Sequence, residues 1–567
     1  MIENVDATAA AVKASDAKWP ALRLEVLYVL VAVEPPGVRG PVVDKQLRLG
    51  WLRITHVCRR WRYAALGDPR LWPHIAFGLS PEWTQEFMAR AQGTPVTFRR
   101  LLVEHNIDGH LRGFEHDYLM THMSHVKNLV LEVDPESLAS VARDLPTFAP
   151  LLETLEFRAT SAYPNTPQQA TLPSLHAPNL HNACFWNCAV PWGAPMLNNL
   201  ASLSIRLKDY TFMPSGAPAV RAHEGFSFAQ LFDALRHMPR LVKLDLHLHD
   251  IQRPVFLPDP ARRPPILSLP HLSMLVLSAE IPVINLIMAH ITIPPTACLS
   301  LDYLSVIPPL VLSTDTIDAF ITKITAHLAS PHGTPTAIGC LDLNMGTTEH
   351  TITGFINLGD SFPDRLTAPY RAVFNVVLHS NPYADMEPFV QRLLQLLHRD
   401  AVLTLLIRTP WRQRRDWKSV FTSDIMEHSL RALRVVDATG PAGLSFLYEL
   451  MKEALLAQSP SMTPHLRGIV IRGLPLAGLE KEDVQSDRQS EVNICRALGR
   501  ALEMRCMAGR KLAWFRYEGG CERAKELMWS YLWGKVDRFT AVNSDGSIFR
   551  MPVRERRDRP MLEIINP

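Results

Sequence analysis

One apolar pattern recurs along most of the chain: an apolar residue, two of any kind, a second apolar residue, one of any kind, and a third. Clear instances are Val126-Leu129-Leu131, Leu152-Leu155-Phe157, Leu200-Leu203-Ile205, Leu241-Leu244-Leu246 and Leu272-Leu275-Leu277. Ile338-Leu341-Leu343, Val373-Val376-Leu378, Val402-Leu405-Ile407, Leu430-Leu433-Val435, Leu466-Ile469-Ile471 and Leu512-Phe515-Tyr517 follow. Leu180-Ala183-Phe185 and Cys298-Leu301-Tyr303 are weaker copies, and the middle residues lie 20 to 46 apart. The last two positions of each trio differ by two, so they share one face of a strand. The template by itself is cheap: a chain this apolar meets it by chance about twenty times. Context gives it weight. In Phe232–Asp250 a helical turn with Leu231 and Leu235 runs through Pro239 into a strand with Leu244, Leu246 and Leu248 on one side. Pro388–Thr409 repeats that order, with Val390, Leu393, Leu394 and Leu397 as the helix stripe.

The two ends differ in style. Leu22–Val33 predicts a short helix with Leu24, Leu27, Leu30 and Val31 on one side. Ile54, Val57 and Trp61 are spaced by three and four, which predicts a second helix with these on one face. A Gly67-Asp68-Pro69 break then lets Leu71 and Trp72 fold back onto that face. Pro81–Ala91 reads as a helix. Near the other end, Ser490–Gly509 carries Ile494, Leu498, Ala501 and Leu502 on one stripe, and Cys521–Val536 carries Leu527, Trp529, Tyr531 and Trp533. Between them KLAWFRYEGG predicts a last strand and turn.

Three blocks in order carry a resemblance. Leu22-Arg23-Leu24-Glu25-Val26-Leu27, Val57-Cys58-Arg59-Arg60-Trp61-Arg62 and Pro69-Arg70-Leu71-Trp72 resemble the F-box of the large fungal, mushroom-type F-box families. The usual proline after the first leucine is missing, and Glu34–Arg48 lengthens the link between the helices. The recurring trios resemble an irregular leucine-rich repeat, because one strand and one helix bury an apolar face only by stacking on neighbours. The family's asparagine after the third apolar position is mostly absent, as in Leu277-Ser278-Ala279-Glu280.

The resemblance implies an α/β chain: a three-helix F-box, then an irregular leucine-rich-repeat solenoid, or horseshoe, closed by a helical C-terminal cap. The expected partition is a flexible 1–19, an F-box-like 20–78, a helical connector 79–125, a repeat array with cap 126–540, and a tail 541–567. It further implies a substrate receptor of a cullin-type ubiquitin ligase, in which residues 20–78 dock on a Skp-family adaptor. Leu24, Val26, Leu27, Ile54, Val57, Trp61, Leu71 and Trp72 would supply the apolar anchor, some of them holding the small module together instead. The array would hold a target protein. A protein-binding scaffold whose F-box-like segment recruits no ligase is the alternative, suggested by the long Glu34–Arg48 stretch.

Composition narrows the rest. The 59 basic residues nearly balance the 56 acidic ones, so the chain as a whole carries no nucleic-acid signature. Eight cysteines, sparse and mostly inside apolar runs, read as reduced thiols of a cytoplasmic or nuclear protein. The first residues lack a basic stretch followed by an apolar core, and no run of about 18 apolar residues predicts a membrane span. No cofactor is expected.

Motifs with chemistry are weak. The histidines from His105 to His125 include an i, i+3 pair, His122 and His125, without a nearby cysteine pair. His247 and His249 alternate on one strand and read as its solvated side. Cys184 and Cys188 lack a second pair at zinc spacing. Gly359-Asp360-Ser361 resembles one esterase nucleophile block, without a partner block. Arg408, Arg412, Arg414, Arg415 and Lys418 surround Trp411 and Trp417, which reads as a solvated loop or a binding edge. No enzyme is expected from these.

Overall fold

The computed structural model describes residues 55–56, 59–76, 81–100, 110–159, 175–188, 190, 192–207, 228–248, 266–304, 318, 321–324, 326–327, 338–345, 349–357, 370–379, 387–396, 402–408, 430–455, 463–472, 484–518, 522–532 and 534–542. They form a mixed α/β protein with no closed barrel. The chain divides into two compact units, Met1–Leu272 and Ser273–Pro567. Of the expected anchor residues, Leu24, Val26, Leu27, Ile54 and Val57 lie outside the described residues, as do Asp360, Ser361 and the Arg412–Lys418 cluster.

The first unit is built on seven strands paired in chain order, each parallel to the next: β1 (His74–Ala76), β2 (Val96–Arg100), β3 (Val126–Val133), β4 (Thr154–Ala159), β5 (Asn182–Trp186), β6 (Ser202–Leu207) and β7 (Lys243–Leu248). The trios stay in register. Leu129, Leu155, Ala183, Leu203 and Leu244 are consecutive partners, and so are Leu131, Phe157, Phe185, Ile205 and Leu246. All ten are buried. A one-residue slip would turn them all outward, so the apolar pattern fixes the register. Helix α1 (Arg59–Gly67) precedes β1, helices α2 (Pro81–Ala91), α3 (Gly113–His122) and α4 (Pro135–Asp144) link β1 to β4, and α5 (Phe228–Arg236) precedes β7. Asp134 caps α4 by accepting from the Ser137 amide at 2.9 Å, with Pro135 in the first turn.

A tight turn with proline in its second place leads into five of the trios. The amide of the first trio residue donates to the carbonyl three residues back: Leu152 to Ala149, Leu180 to Ala177, Leu241 to Met238, Leu272 to Leu269 and Leu466 to Thr463. In these five the second turn residue is proline, whose ring holds φ near about −65° as that position requires. Both ends of each turn are buried. The repeating signature is therefore apolar-Pro-x-Leu followed by the strand, with Thr463 in the apolar place once. Sequence reading registered the prolines only as boundaries.

The second unit contains β8 (Met274–Ala279), α6 (Ile281–His290), β9 (Cys298–Leu304), β10 (Ile338–Met345), β11 (Glu349–Asn357), β12 (Tyr370–His379), α7 (Glu387–Leu396), β13 (Val402–Arg408), β14 (Val435–Thr439), α8 (Gly440–Leu455), β15 (Gly468–Arg472), α9 (Val484–Met507), β16 (Leu512–Glu518), α10 (Glu522–Leu532) and β17 (Val536–Val542). Strands β8, β9 and β12 are parallel, β12–β11 and β11–β10 antiparallel, and β10, β13, β14, β15, β16 and β17 parallel in that order.

Four sequence expectations are corrected. Residues 79–125 are not a helical connector throughout, because β2 lies within them, and the first strand, β1, falls inside 20–78. Cys298-Leu301-Tyr303 is out of register: Leu299 and Leu301 pair with Leu275 and Leu277. Leu430-Leu433-Val435 is likewise offset, since Val436 and Ala438 pair with Leu405 and Ile407, while Leu430 and Leu433 close a turn. Finally, the last helix does not end the sheet, because β17 pairs with β16.

Candidate protein-binding face

The residue that follows the third apolar position of each trio in the first unit points to the opposite face of its strand. Register lines these residues up as Glu132, Arg158, Trp186, Arg206 and His247 across β3 to β7. A parallel row, Glu156, Cys184, Ser204 and Asp245, lies two residues earlier. The rows join residues far apart in sequence because each in-register partner stands only about 4.8 Å away.

Trp186 is the centre of this face. The Arg158 guanidinium carbon lies 5.2 Å from its ring centroid and that of Arg206 5.8 Å, both within cation–π range. Carboxylates fix both arginines. Arg158 Nε donates to Glu156 Oε1 at 2.5 Å, and its Nη1 lies 3.6 Å from Glu132 Oε2. Arg206 Nη2 donates to Asp245 Oδ2 at 3.0 Å. Ser204 Oγ donates to the same oxygen at 3.1 Å, and His247 Nε2 lies 2.8 Å from Asp245 Oδ1.

Depth separates the two signs of charge. The side chains of Asp245, Glu156 and Glu132 are 4%, 19% and 21% exposed, those of Arg158 and Arg206 31% and 41%. The carboxylates form a floor and the guanidiniums the outer layer. Burial raises the Asp245 carboxyl, but hydrogen bonds and charge from His247 and Arg206 together outweigh it and hold its pKa at about 2. Burial pushes Glu132 above the usual carboxylate range, with Arg158 opposing the rise.

The second unit uses the same device. Arg472 grips Asp437 with two bonds of 2.9 Å from Nε and Nη2, and also pairs with Glu518. Ser278 Oγ donates to Asp302 Oδ2 at 2.9 Å across strands.

At the other candidate site the described residues are interior ones. Trp61, Leu71 and Trp72 are buried within this chain. Ala65 is followed four positions later by Pro69, which has no N–H to close the helical bond. The Trp72 indole N–H fills that place, donating to the Ala65 carbonyl at 2.9 Å. Arg90 Nη1 donates to the next carbonyl, Leu66, at 2.9 Å, and its guanidinium lies 4.8 Å over the Trp72 ring. Phe87 meets that ring edge-on at 5.0 Å. The end of α1 is thus capped by side chains from its own turn and from α2. Exposed aromatics on this segment are Tyr63 and Trp83.

The remaining candidates separate. His116 lies near Asp144 and His110 near Asp134, each at 3.2 Å, and His122 stacks on Tyr118 at 5.4 Å. The buried Cys188 thiol donates to the Trp186 carbonyl at 3.1 Å, and burial pushes its pKa up to about 12. Burial likewise raises the Cys184 thiol, with Glu156 adding to the rise. Among the described residues no three His, Cys, Asp or Glu side chains meet as a metal site. No helix among them is long and apolar enough to cross a membrane. The sequence marks His247 on this face but not Trp186; the residue after each third apolar position lists the candidates, and only the register joins them into a row.

No protein-family model matches this sequence, and no curated protein matches it either.

Proposed function

We propose that this chain is a non-catalytic receptor that holds a target protein on the outward face of its parallel strands. Its N-terminal segment docks on a Skp-family adaptor and so brings the target to a cullin-type ubiquitin ligase, in cytoplasm or nucleus. The supporting observation is the row Glu132, Arg158, Trp186, Arg206 and His247, a polar, rigidly held surface with an aromatic at its centre. Arginine and tryptophan are the side chains that carry binding energy in protein interfaces. Such a receptor makes and breaks no bond: it raises the effective concentration of the target beside a partner enzyme. The three ordered F-box-like blocks support the adaptor half of the reading, and the in-register apolar trios, which resemble an irregular leucine-rich repeat, support the other.

A second reading, a scaffold that recruits no ligase, is favoured by one observation: Trp61, Leu71 and Trp72 serve this chain's own interior. Adaptor docking then falls to Leu24, Val26, Leu27, Ile54 and Val57. Co-purification of the full chain with a Skp-type adaptor separates the two. The receptor reading expects an adaptor signal that is lost when residues 1–54, which carry Leu24, Val26, Leu27 and Ile54, are removed. No adaptor, where a known F-box protein captures it, leaves the scaffold.

A further inference from the structure

We propose that the Trp186 face binds an extended, acidic peptide segment of its partner, laid across strands β3 to β7. This rests on the reading of the chain as a receptor and adds the chemistry of what it receives. Three observations support it. The anions of the face are its deeper layer and the guanidiniums its outer one, so an approaching chain meets positive charge first. Arg206 spends one terminal nitrogen on Asp245, and its other terminal nitrogen has no partner among the described residues. Lys243 stands on the same face of β7 as Asp245 and His247 and makes no ion pair among the described residues.

Geometry selects the ligand's shape. Five side chains one strand apart cover about 19 Å, the length of about six extended residues. A planar guanidinium locked by a carboxylate and an indole is preorganised, so it loses little freedom when it takes an incoming carboxylate. Single-stranded nucleic acid fits less well. The Trp186 ring already carries two guanidiniums, which leaves it a poor platform for a stacked base.

The test uses the full chain and a fluorescein-labelled peptide of about eight alternating Glu and Ser residues, read by anisotropy. A Lys-Ser peptide of equal length and oligothymidylate are run beside it. The Glu-Ser peptide should bind, weaken with added salt, and lose about tenfold in affinity in Lys243→Glu, which disturbs no ion pair of the face. Arg206→Lys keeps a cation on Asp245 but removes the fork, and should weaken binding several-fold with an unchanged thermal melt. The proposal is overturned by no response to the Glu-Ser peptide, by equal binding of the Lys-Ser peptide, by preference for oligothymidylate, or by unaltered binding in Lys243→Glu. Because no adaptor takes part, adaptor capture without peptide binding sinks this proposal alone, and peptide binding without adaptor capture sinks only the ligase half of the receptor reading.

Discussion

The indole of Trp514 lies directly over Gly468, its register partner on the neighbouring strand, so closely that a Cβ at Gly468 would stand 2.2 Å from two ring carbons. Glycine there is a packing requirement, because the φ of Gly468 is not in the left-handed region. Inside a strand, Gly→Ala is ordinarily worth about 0.5–1 kcal/mol in favour of alanine. Here the sign reverses. Gly468→Ala should destabilise the protein by about 1–3 kcal/mol as the ring is forced off its site. In a Trp514→Ala background the same change should be neutral or stabilising, and a double-mutant cycle by urea unfolding measures that coupling.

Trp72 has a polar task as well as an apolar one. Its indole N–H substitutes for the amide that Pro69 lacks, and it does so in a buried place. Trp72→Phe keeps an aromatic ring against Phe87 but leaves the Ala65 carbonyl without its donor. The expected loss is about 1–3 kcal/mol, larger than an aromatic-for-aromatic exchange without that bond would give. Arg90→Met, which uncaps Leu66 and removes the guanidinium from the half-exposed Glu86 pair and the Trp72 ring, should cost less, and urea unfolding ranks the two. A Trp72→Phe variant as stable as the parent chain would show that the indole N–H contributes nothing.

Asp245 makes stability depend on acid. Its folded pKa of about 2 lies below its ordinary 3.8, so the unfolded chain binds the proton first as pH falls. Stability from this group is complete above its ordinary value and is lost as pH drops through about 2. A shift of that size corresponds to roughly 2 kcal/mol at neutral pH. Asp245→Asn should lower the melting temperature at neutral pH, and the gap to the parent chain should narrow in acid. A gap independent of pH would mean that the carboxylate's charge is not what stabilises the face.

Helices α9 and α10 meet at Gly499, where an added Cβ would stand 2.8 Å from the Tyr531 carbonyl oxygen and 3.2 Å from Lys535 Nζ. Helix propensity alone favours alanine by about 1 kcal/mol. A backbone oxygen cannot swing aside as a side chain can, so Gly499→Ala should instead cost about 1–2 kcal/mol. The expected readout is a lower melting temperature without loss of helical circular dichroism. A stabilised variant would refute the close approach.

How much of this was legible in the sequence differs by level. The inner face was readable, because burial on one side of a strand imposes period two and leucine marks it: Leu129 pairs with Leu155 and Leu203 with Leu244, as the trios imply. Reading failed where small or mixed residues took the inner places. Ala438 occupies one in β14, while Leu430 and Leu433 belong to the preceding turn, so the template locked onto the wrong leucines. Strand β11 escaped because its alternation, with Thr351 and Thr353 flanking Ile352, belongs to an antiparallel insertion without a turn-and-leucine entry. The Trp186 row was invisible as a cluster for another reason. Arg158, Trp186 and Arg206 meet only through register, which no local window contains.

Removing residues 1–78 tests where the N-terminal segment ends and the sheet begins. If the segment were an independent module, the remainder would unfold as before. Yet β1 lies within that stretch and pairs with β2 from His74 to Ala76, and the Thr97 amide donates to the Pro73 carbonyl at 2.7 Å. Trp72 and Ile75 are almost fully buried, and Phe87 packs on the Trp72 ring. The truncation therefore bares one edge of β2 and an aromatic face of α2 together, an arrangement that invites edge-to-edge association. The shortened chain should melt at a lower temperature than the full one and scatter light on standing, whereas a chain cut after residue 54, which retains α1, Trp72 and β1, should scatter less. Equal melting of the chain cut after residue 78 and the full protein would show that β1 adds nothing to the sheet.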